Sequence, residues 1–260
     1  MKYKIIDFHT HPYADMDTNI CRYKDKFTFS PEEYKKQMQN LGIEKVCGSV
    51  LNPAVKTSNW EDVKSLNDTA QKLKNELGDF YIVGNQIHPH YVKESIATIK
   101  GMRKRGEVLI GEIVPSALGC AYADQGFEDI LSTASGLIFS FHSTVAGEKE
   151  HKAIERLIAR YKDVTFVGAH PGETDFVEVH LSRMKKYDNY YLDVSGTGIF
   201  RQGMLAHVIS EVGSDRILFG SDFPTCNPAM FVGGVACDCL ISEKDKENVL
   251  YNNAKRLLKL

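Results

Sequence analysis

The 260-residue sequence lacks the features that mark several large classes of protein. No apolar run approaches the ~18 residues that a membrane span needs, and the first residues become charged before a secretory signal could form. Lys and Arg total 32 against 34 Asp and Glu, so the net charge is −2 and the basic surface typical of nucleic-acid binders is missing. We therefore expect no membrane partner, and the composition disfavours a nucleic-acid partner.

Cysteine is present, but not in a pattern that binds a metal or forms a redox pair. The six cysteines include no C-x-x-C pair, which excludes a zinc ribbon and a thioredoxin-like motif. A chain of this length buries enough surface to fold without disulfides. We expect reduced thiols and a cytoplasmic location.

Short apolar runs bounded by turn residues recur along the whole sequence, and they predict strands. Successive runs begin 26 to 40 residues apart, which is the length of one βα unit. The eight runs are Tyr3–His11, Ile43–Asn52, Phe80–Pro89, Val108–Val114, Leu137–Ser143, Val164–His170, Tyr190–Ser195 and Arg216–Phe223.

Helical patterns fill the gaps between these runs. Ser30-Pro-Glu-Glu33 is a capping box with proline at the first helical position, and an apolar stripe with helical spacing runs from Val63 to Leu77 and stops at Gly78. Nearly continuous apolar strands alternating with helices favour a parallel sheet covered on both faces. Eight such units in about 260 residues predict an α/β fold, a (β/α)8 TIM barrel that forms a single domain over residues 1–260.

Imidazoles and carboxylates lie near the carboxyl ends of five of the eight runs. In a barrel of this kind the active site lies at the carboxyl ends of the strands, so these side chains are expected to meet there. The candidate residues are His9, His11, Glu112, His142, His170 and Asp222.

The spacing and the chemistry of these residues favour a metal site. Residues i and i+2 of a strand point to one face, so His9 and His11 can both face the barrel axis. Imidazoles and carboxylates in a confined cluster are ligands for zinc and neighbouring divalent metals. Carboxylates gathered in this way need a cation to offset their desolvation.

The same segments resemble a known family. Asp-Phe-His-Thr-His of the first run, the histidines of runs five and six, and Phe-Gly-Ser-Asp-Phe-Pro resemble the amidohydrolase superfamily, most closely its amidohydrolase-related (type 2) branch. The resemblance covers nearly the whole chain, including the closing segment Ser242–Leu260. Two further segments, Gln86-Ile-His88-Pro-His90 and Ile110-Gly-Glu112-Ile, resemble TatD-type metal-dependent deoxyribonucleases, although Gly-Ser-Asp-Phe-Pro departs from the pattern of that branch.

The resemblance implies roles for the candidate residues. His9, His11 and Asp222 would hold the more buried metal, and His142 and His170 would hold a second ion that Glu112 bridges to the first. In one-metal branches His142 would join the first ion and His170 would orient substrate or water. The presence of Glu112 favours two ions, zinc is the expected metal, and Asp222 is the expected general base.

These roles predict a hydrolase that uses a metal-activated hydroxide on a small amide, ester, lactone or related substrate. One alternative is a one-metal decarboxylase of the same branch. A second is a TatD-like deoxyribonuclease, which the near-neutral charge disfavours. A third is a binding protein on a retired enzyme barrel, which the intact ligand set disfavours.

Substrate contacts are expected in the loops at the same end of the barrel. Arg22 could bind a carboxylate or phosphate in two-point fashion, and His88 and His90 follow the third run. The long connections Pro12–Phe29 and Pro53–Trp60 are the predicted places for substrate selectivity. The sequence leaves open whether the chain forms a homo-oligomer.

Overall fold

The computed structural model describes residues 2–52, 59–144 and 147–260. Eight parallel strands lie side by side in chain order. They are β1 (Ile5–Asp7), β2 (Ile43–Gly48), β3 (Tyr81–Asn85), β4 (Leu109–Ile113), β5 (Ile138–His142), β6 (Thr165–Ala169), β7 (Tyr190–Asp193) and β8 (Ile217–Leu218). The strands and the helices between them form a single-domain (β/α)8 barrel, as predicted.

Hydrogen bonds between the first and last strand segments close the sheet on itself. The Phe8 amide donates to the Phe219 carbonyl at 2.8 Å, and the Asp222 amide donates to the His9 carbonyl at 2.9 Å. Thr10 and Phe223 form a further parallel bridge. The chain around His9 and Asp222 is therefore held in register with the barrel, although both residues lie beyond the ends of their strands.

Eleven α-helices surround the strands in the described ranges. They are α1 (Pro31–Asn40), α2 (Trp60–Leu77), α3 (Val92–Arg105), α4 (Pro115–Leu118), α5 (Gly126–Leu131), α6 (Glu148–Arg160), α7 (Thr174–Lys186), α8 (Met204–Val212), α9 (Pro228–Ala236), α10 (Glu243–Glu247) and α11 (Asn253–Leu258). A 3-10 turn spans Gly78–Phe80, and a π-helical turn spans Asn248–Asn252.

Local sequence signals explain where the first two helices begin and end. Ser30 caps α1, and the reciprocal bonds of the predicted capping box with Glu33 are both present. Helix α2 ends at Gly78, whose φ of 58° suits glycine. The apolar stripe predicted for this helix is its buried face, which consists of Val63, Leu66, Ala70, Leu73 and Leu77.

The structure also bears on the expectations for cysteines, membrane spans and the second long connection. All six cysteines are free thiols. Among the described residues, no helix combines the length and apolar character needed to cross a bilayer. Residues 53–58 of the predicted selectivity segment Pro53–Trp60 lie outside the described residues.

Candidate metal centre

The barrel brings the six candidate side chains to one end. His9 and His11 follow β1, Glu112 lies in β4 and His142 ends β5, while His170 directly follows β6 and Asp222 lies four residues beyond β8. His9, His11 and Glu112 are almost fully buried. The predicted juxtaposition arises because the carboxyl ends of parallel strands share one rim of the barrel.

Four donor atoms lie close together in this cluster. These atoms are His9 Nε2, His11 Nε2, Glu112 Oε2 and Asp222 Oδ1. The two histidine nitrogens lie 3.2 Å apart. Glu112 Oε2 is 3.5 and 3.3 Å from the nitrogens of His9 and His11, and Asp222 Oδ1 is 3.7 and 3.5 Å from them. Donors bound to one zinc-like ion at about 2.1 Å lie roughly 3.0–3.5 Å apart, depending on the coordination geometry, so this set fits a divalent cation.

Hydrogen bonds on the far side of each ring support this fit. His9 Nδ1 lies 3.0 Å from Asp193 Oδ2, and His11 Nδ1 lies 3.0 Å from the Ser49 carbonyl oxygen. A carboxylate or carbonyl oxygen only accepts, so we assign the ring proton to Nδ1 in both histidines. Each Nε2 then presents a lone pair, and two lone pairs only 3.2 Å apart repel unless a proton or a metal cation lies between them.

The second oxygen of Glu112 faces a different pair of histidines. Its Oε1 lies 3.1 Å from His142 Nδ1 and 3.4 Å from His170 Nε2. The other ring nitrogen of His142 contacts the Thr144 hydroxyl at 2.7 Å, and the other nitrogen of His170 contacts the Ser195 hydroxyl at 3.0 Å. Glu112 therefore belongs to two groups. Its Oε2 is part of the four-atom set, and its Oε1 forms a second trio with His142 and His170.

Charge in the cluster shifts the protonation of its members. Burial disfavours the charged form of His9, but the carboxylates of Asp193 and Glu112 raise the pKa of His9 well above its usual value. Burial likewise opposes ionisation of Glu112, and the surrounding histidines hold the pKa of this carboxyl well below its usual range. The site therefore stabilises positive charge beside ionised carboxylates, as a cation site must.

Two of the candidate residues adopt backbone conformations that are unusual for their type. His170 has a φ of 67° and Asp222 a φ of 58°, in the left-handed region that glycine favours. Such conformations persist where the surrounding structure imposes them, and they concentrate at functional sites.

A cavity of about 390 Å³ opens beside Asp222. Its wall is formed by the loops that follow β7 and β8 and by α9. The apolar side chains in the wall are Ile199, Phe200, Met230 and Phe231. Asp222 belongs both to the donor set and to this wall, so a molecule in the cavity would lie next to the candidate metal centre.

Sequence reasoning did not select three residues that support the cluster. Asp193 and Ser195, both fully buried, contact His9 and His170, and Ser49 supplies the carbonyl behind His11. Asp193 was detectable in principle, because it ends β7 as the other polar residues end their strands. The Ser49 contact is made by a backbone atom and has no sequence signal.

The three residues predicted to contact substrate, His88, His90 and Arg22, lie outside the metal cluster. Both ring nitrogens of His88 are engaged, since Nε2 donates to the Leu118 carbonyl at 3.0 Å and Nδ1 accepts from the His90 amide at 3.1 Å. His90 is exposed and pairs with Asp124 at 3.0 Å. These contacts link the loop after β3 to the segment after β4. Arg22 is exposed on the Pro12–Phe29 connection.

Comparisons with known proteins identify relatives of this chain. A family model described as amidohydrolase matches residues 122–260. A gamma-resorcylate decarboxylase from Polaromonas sp. strain JS666 is 38% identical over 73 residues, which are 28% of this chain and only 22% of that protein. The structure of a 2,6-dihydroxybenzoate decarboxylase from Rhizobium is similar with a TM-score of 0.74 and 15% identity, covering 99% of both chains. A dihydroxybenzoic acid decarboxylase from Polaromonas sp. JS666, with bound manganese and the inhibitor 2-nitroresorcinol, gives a TM-score of 0.69 and 16% identity over 99% of this chain and 97% of that one.

These relatives correct the predicted reaction. Hydrolysis of an amide, ester or lactone is wrong as the leading expectation, because the similar proteins are decarboxylases. The TatD-like segments also gain no support from these relatives. The physical reason is that imidazoles and carboxylates at strand ends specify that a cation binds, whereas the bond that breaks depends on the substrate held beside it.

Proposed function

The chain belongs to the amidohydrolase family, and from that premise we propose that it is a metal-dependent decarboxylase acting on a small aromatic carboxylic acid. The observation that carries this proposal is the position of Asp222, which joins a four-atom donor set to a largely apolar cavity. The decarboxylases among its relatives support the reaction class.

We propose that one divalent ion occupies the set formed by His9, His11, Glu112 and Asp222. The sequence favoured two ions, whereas a single ion accompanies the one-metal decarboxylase alternative. Glu112 Oε1, His142 and His170 then form a group of polar side chains beside the ion. Zinc is one candidate for the ion. Manganese is another, because the Polaromonas relative holds it. When bound, the cation supplies positive charge that anchors and polarises the acidic end of the substrate.

The remaining chemistry falls to side chains of this protein. The apolar wall around Phe200 and Met230 excludes water from one face of an aromatic ring and fixes its orientation. His142, whose side chain is 31% exposed, lies at the open side of the cluster, where it would border the bound substrate while its two ring nitrogens contact Glu112 and Thr144. Asp222 would carry a proton on Oδ2, the oxygen outside the donor set, and transfer it to the ring carbon that bears the carboxylate. The bond between the ring carbon and the carboxyl carbon then breaks, its electron pair restores the aromatic ring as CO2 leaves, and water reprotonates Asp222.

A direct assay tests this proposal. The protein is stripped with a chelator, reloaded separately with Mn²⁺ and Zn²⁺, and assayed for CO2 release from 2,6-dihydroxybenzoate and a panel of other hydroxybenzoates. We expect release that depends on the metal, about one ion per chain, and a loss of at least 100-fold in Asp222→Asn. Asp238→Asn, which changes a half-buried carboxylate outside this cavity, is the matched control and should retain activity.

Two results would contradict the proposal. One is a fully metal-loaded protein that releases no CO2 from any aromatic acid in the panel. The other is unchanged CO2 release in Asp222→Asn. Two ions per chain, with Glu112→Gln reducing the number to one, would refute the single-ion arrangement without refuting the reaction.

A further inference from the structure

We propose that Asp193 and Ser195 are positioning residues that together orient two of the cluster histidines: His9 toward the cation, and His170 toward Glu112, which binds the cation. The inference rests on the metal dependence in the proposed function. It assigns a role to two fully buried residues on and just beyond β7, neither of which belongs to the four-atom donor set.

The two oxygens of Asp193 contact different partners. Oδ2 lies 3.0 Å from His9 Nδ1. Oδ1 accepts a hydrogen bond from the Ser195 hydroxyl and another, at 3.0 Å, from the Ser195 amide. Because a carboxylate only accepts, the Ser195 hydroxyl proton is committed to Asp193.

That commitment determines the protonation of His170. Ser195 Oγ lies 3.0 Å from His170 Nδ1. With its own proton already donated, the hydroxyl oxygen can only accept, so His170 carries its proton on Nδ1. His170 Nε2 then faces Glu112 Oε1 at 3.4 Å, just as His9 Nε2 faces Glu112 Oε2 at 3.5 Å. One carboxylate therefore fixes the tautomer of His9 directly and that of His170 through a hydroxyl.

Two glycines make room for this network. A Cβ on Gly220 would lie 2.6 Å from the His9 Cβ and 3.2 Å from Asp193 Oδ1, and a Cβ on Gly196 would lie 2.4 Å from His170 Nδ1. Backbone segments thus approach the network as closely as sterics permit. Such packing leaves the histidine rings and Asp193 little freedom to reorient.

Asp193 could instead be a metal ligand, since one of its oxygens lies within 4.8 Å of ring nitrogens of His9 and His170. The geometry favours the positioning role. Asp193 faces Nδ1 of His9, whereas His11 faces Nε2. These atoms lie on opposite sides of the imidazole ring, so an ion shared by Asp193 and His9 Nδ1 would be separated from His11.

The test measures binding of the metal alone, so it does not depend on turnover. Equilibrium dialysis gives the affinity of the stripped full-length protein for Mn²⁺ and Co²⁺, and the visible spectrum of the Co²⁺ form reports the donor geometry. The variants are Asp193→Asn and Ser195→Ala. Glu107→Gln is the matched control. This carboxylate lies outside the cluster and accepts hydrogen bonds from Gln71, Asn85 and Arg105.

We expect Asp193→Asn to bind metal about 10- to 100-fold more weakly with the Co²⁺ spectrum retained at saturation, because the amide can donate to His9 Nδ1 and favour the wrong tautomer. Ser195→Ala should weaken binding less, since the contact between His9 and Asp193 remains. Glu107→Gln should bind as the unmodified protein does.

Three outcomes would overturn the positioning role. The first is a metal affinity within twofold of the unmodified protein in both variants. The second is loss of the Co²⁺ spectrum in Asp193→Asn at saturation, which would make Asp193 a ligand, and the third is absence of metal binding by the unmodified protein. A protein that binds metal with the expected pattern but releases no CO2 would refute the proposed reaction and leave this inference standing.

Discussion

Gly220 packs so closely against His9 that a Cβ atom on residue 220 would lie 2.6 Å from the Cβ of the histidine. Neither atom could rotate away, because both positions are set by the backbone. The identity of residue 220 therefore constrains the position of a candidate metal ligand more than 200 residues earlier in the chain.

Gly220→Ala should both destabilise the fold and weaken metal binding. Overpacking in a rigid interior costs about 1–3 kcal/mol, and the added methyl group would push His9 away from the donor set. Denaturant unfolding of the metal-free protein and Mn²⁺ dialysis measure the two effects. Gly233→Ala is the control: this position in α9 has open space around a Cβ, so alanine should stabilise by about 0.5–1 kcal/mol. Equal stability of the two variants would contradict the packing argument.

The metal content of alanine variants should distinguish histidines that bind the metal from histidines in the loop after β3. His11→Ala deletes a donor atom that lies 3.2–3.5 Å from three others, and we expect the purified variant to hold less than a tenth of an ion per chain. His90→Ala removes an exposed histidine that pairs with Asp124, and its metal content should match the unmodified protein. Elemental analysis after dialysis measures both variants. Metal loss in His90→Ala would place the loop after β3 at the metal centre.

The cavity wall should control substrate affinity rather than the chemical step. Phe200 is 60% exposed and faces the cavity beside Asp222. Its truncation in Phe200→Ala should remove about 1 kcal/mol of apolar contact with an aromatic acid, which raises KM about fivefold with kcat nearly unchanged. Leu240→Ala truncates a similarly exposed side chain that does not line this cavity, so its kinetics should be unaltered. A fall in kcat at constant KM would indicate that the cavity does not bind substrate in this way.

A buried histidine behind the cluster should make stability depend on pH. Burial and the nearby Arg183 lower the pKa of His180 to about 3, against an ordinary value of 6.5. Below pH 6.5 the unfolded chain takes up a proton that the folded protein excludes, so stability falls as the pH decreases toward 3. Between pH 7 and pH 5 this group alone should lower the unfolding free energy by ~2 kcal/mol.

Comparison of variants isolates this contribution. His180→Gln should show a smaller loss of stability between pH 7 and pH 5 than the unmodified protein in metal-free buffer. His207→Gln, which replaces an exposed histidine on α8, should keep the original dependence. Identical pH dependence in His180→Gln and in the unmodified protein would mean that His180 is not held neutral.

Much of the fold could be predicted from the sequence because its signals are local. The capping box at Ser30 and the apolar stripe from Val63 to Leu77 each specify a helix through residues a few positions apart. The predicted strand runs extend past the strands themselves. The run from Tyr3 to His11 contains a strand of only three residues, Ile5–Asp7, and the surplus is the segment that carries His9 and His11. Polar residues at the ends of such runs therefore mark the rim of the barrel even where regular pairing stops.

The sequence by itself determined the barrel, the common end at which the six candidate side chains meet, and the suitability of that end for a cation. Only the tertiary structure decided which atoms face one another. It separates the two oxygens of Glu112 between two pairs of histidines, and it places Asp193 behind His9 across 184 positions of the chain. Periodicity encodes the face of an element that is buried, but hydrogen-bond partners depend on distances through space between distant segments. The reaction was also beyond the sequence pattern, because imidazoles and carboxylates at strand ends specify a cation site and leave open which bond breaks beside it.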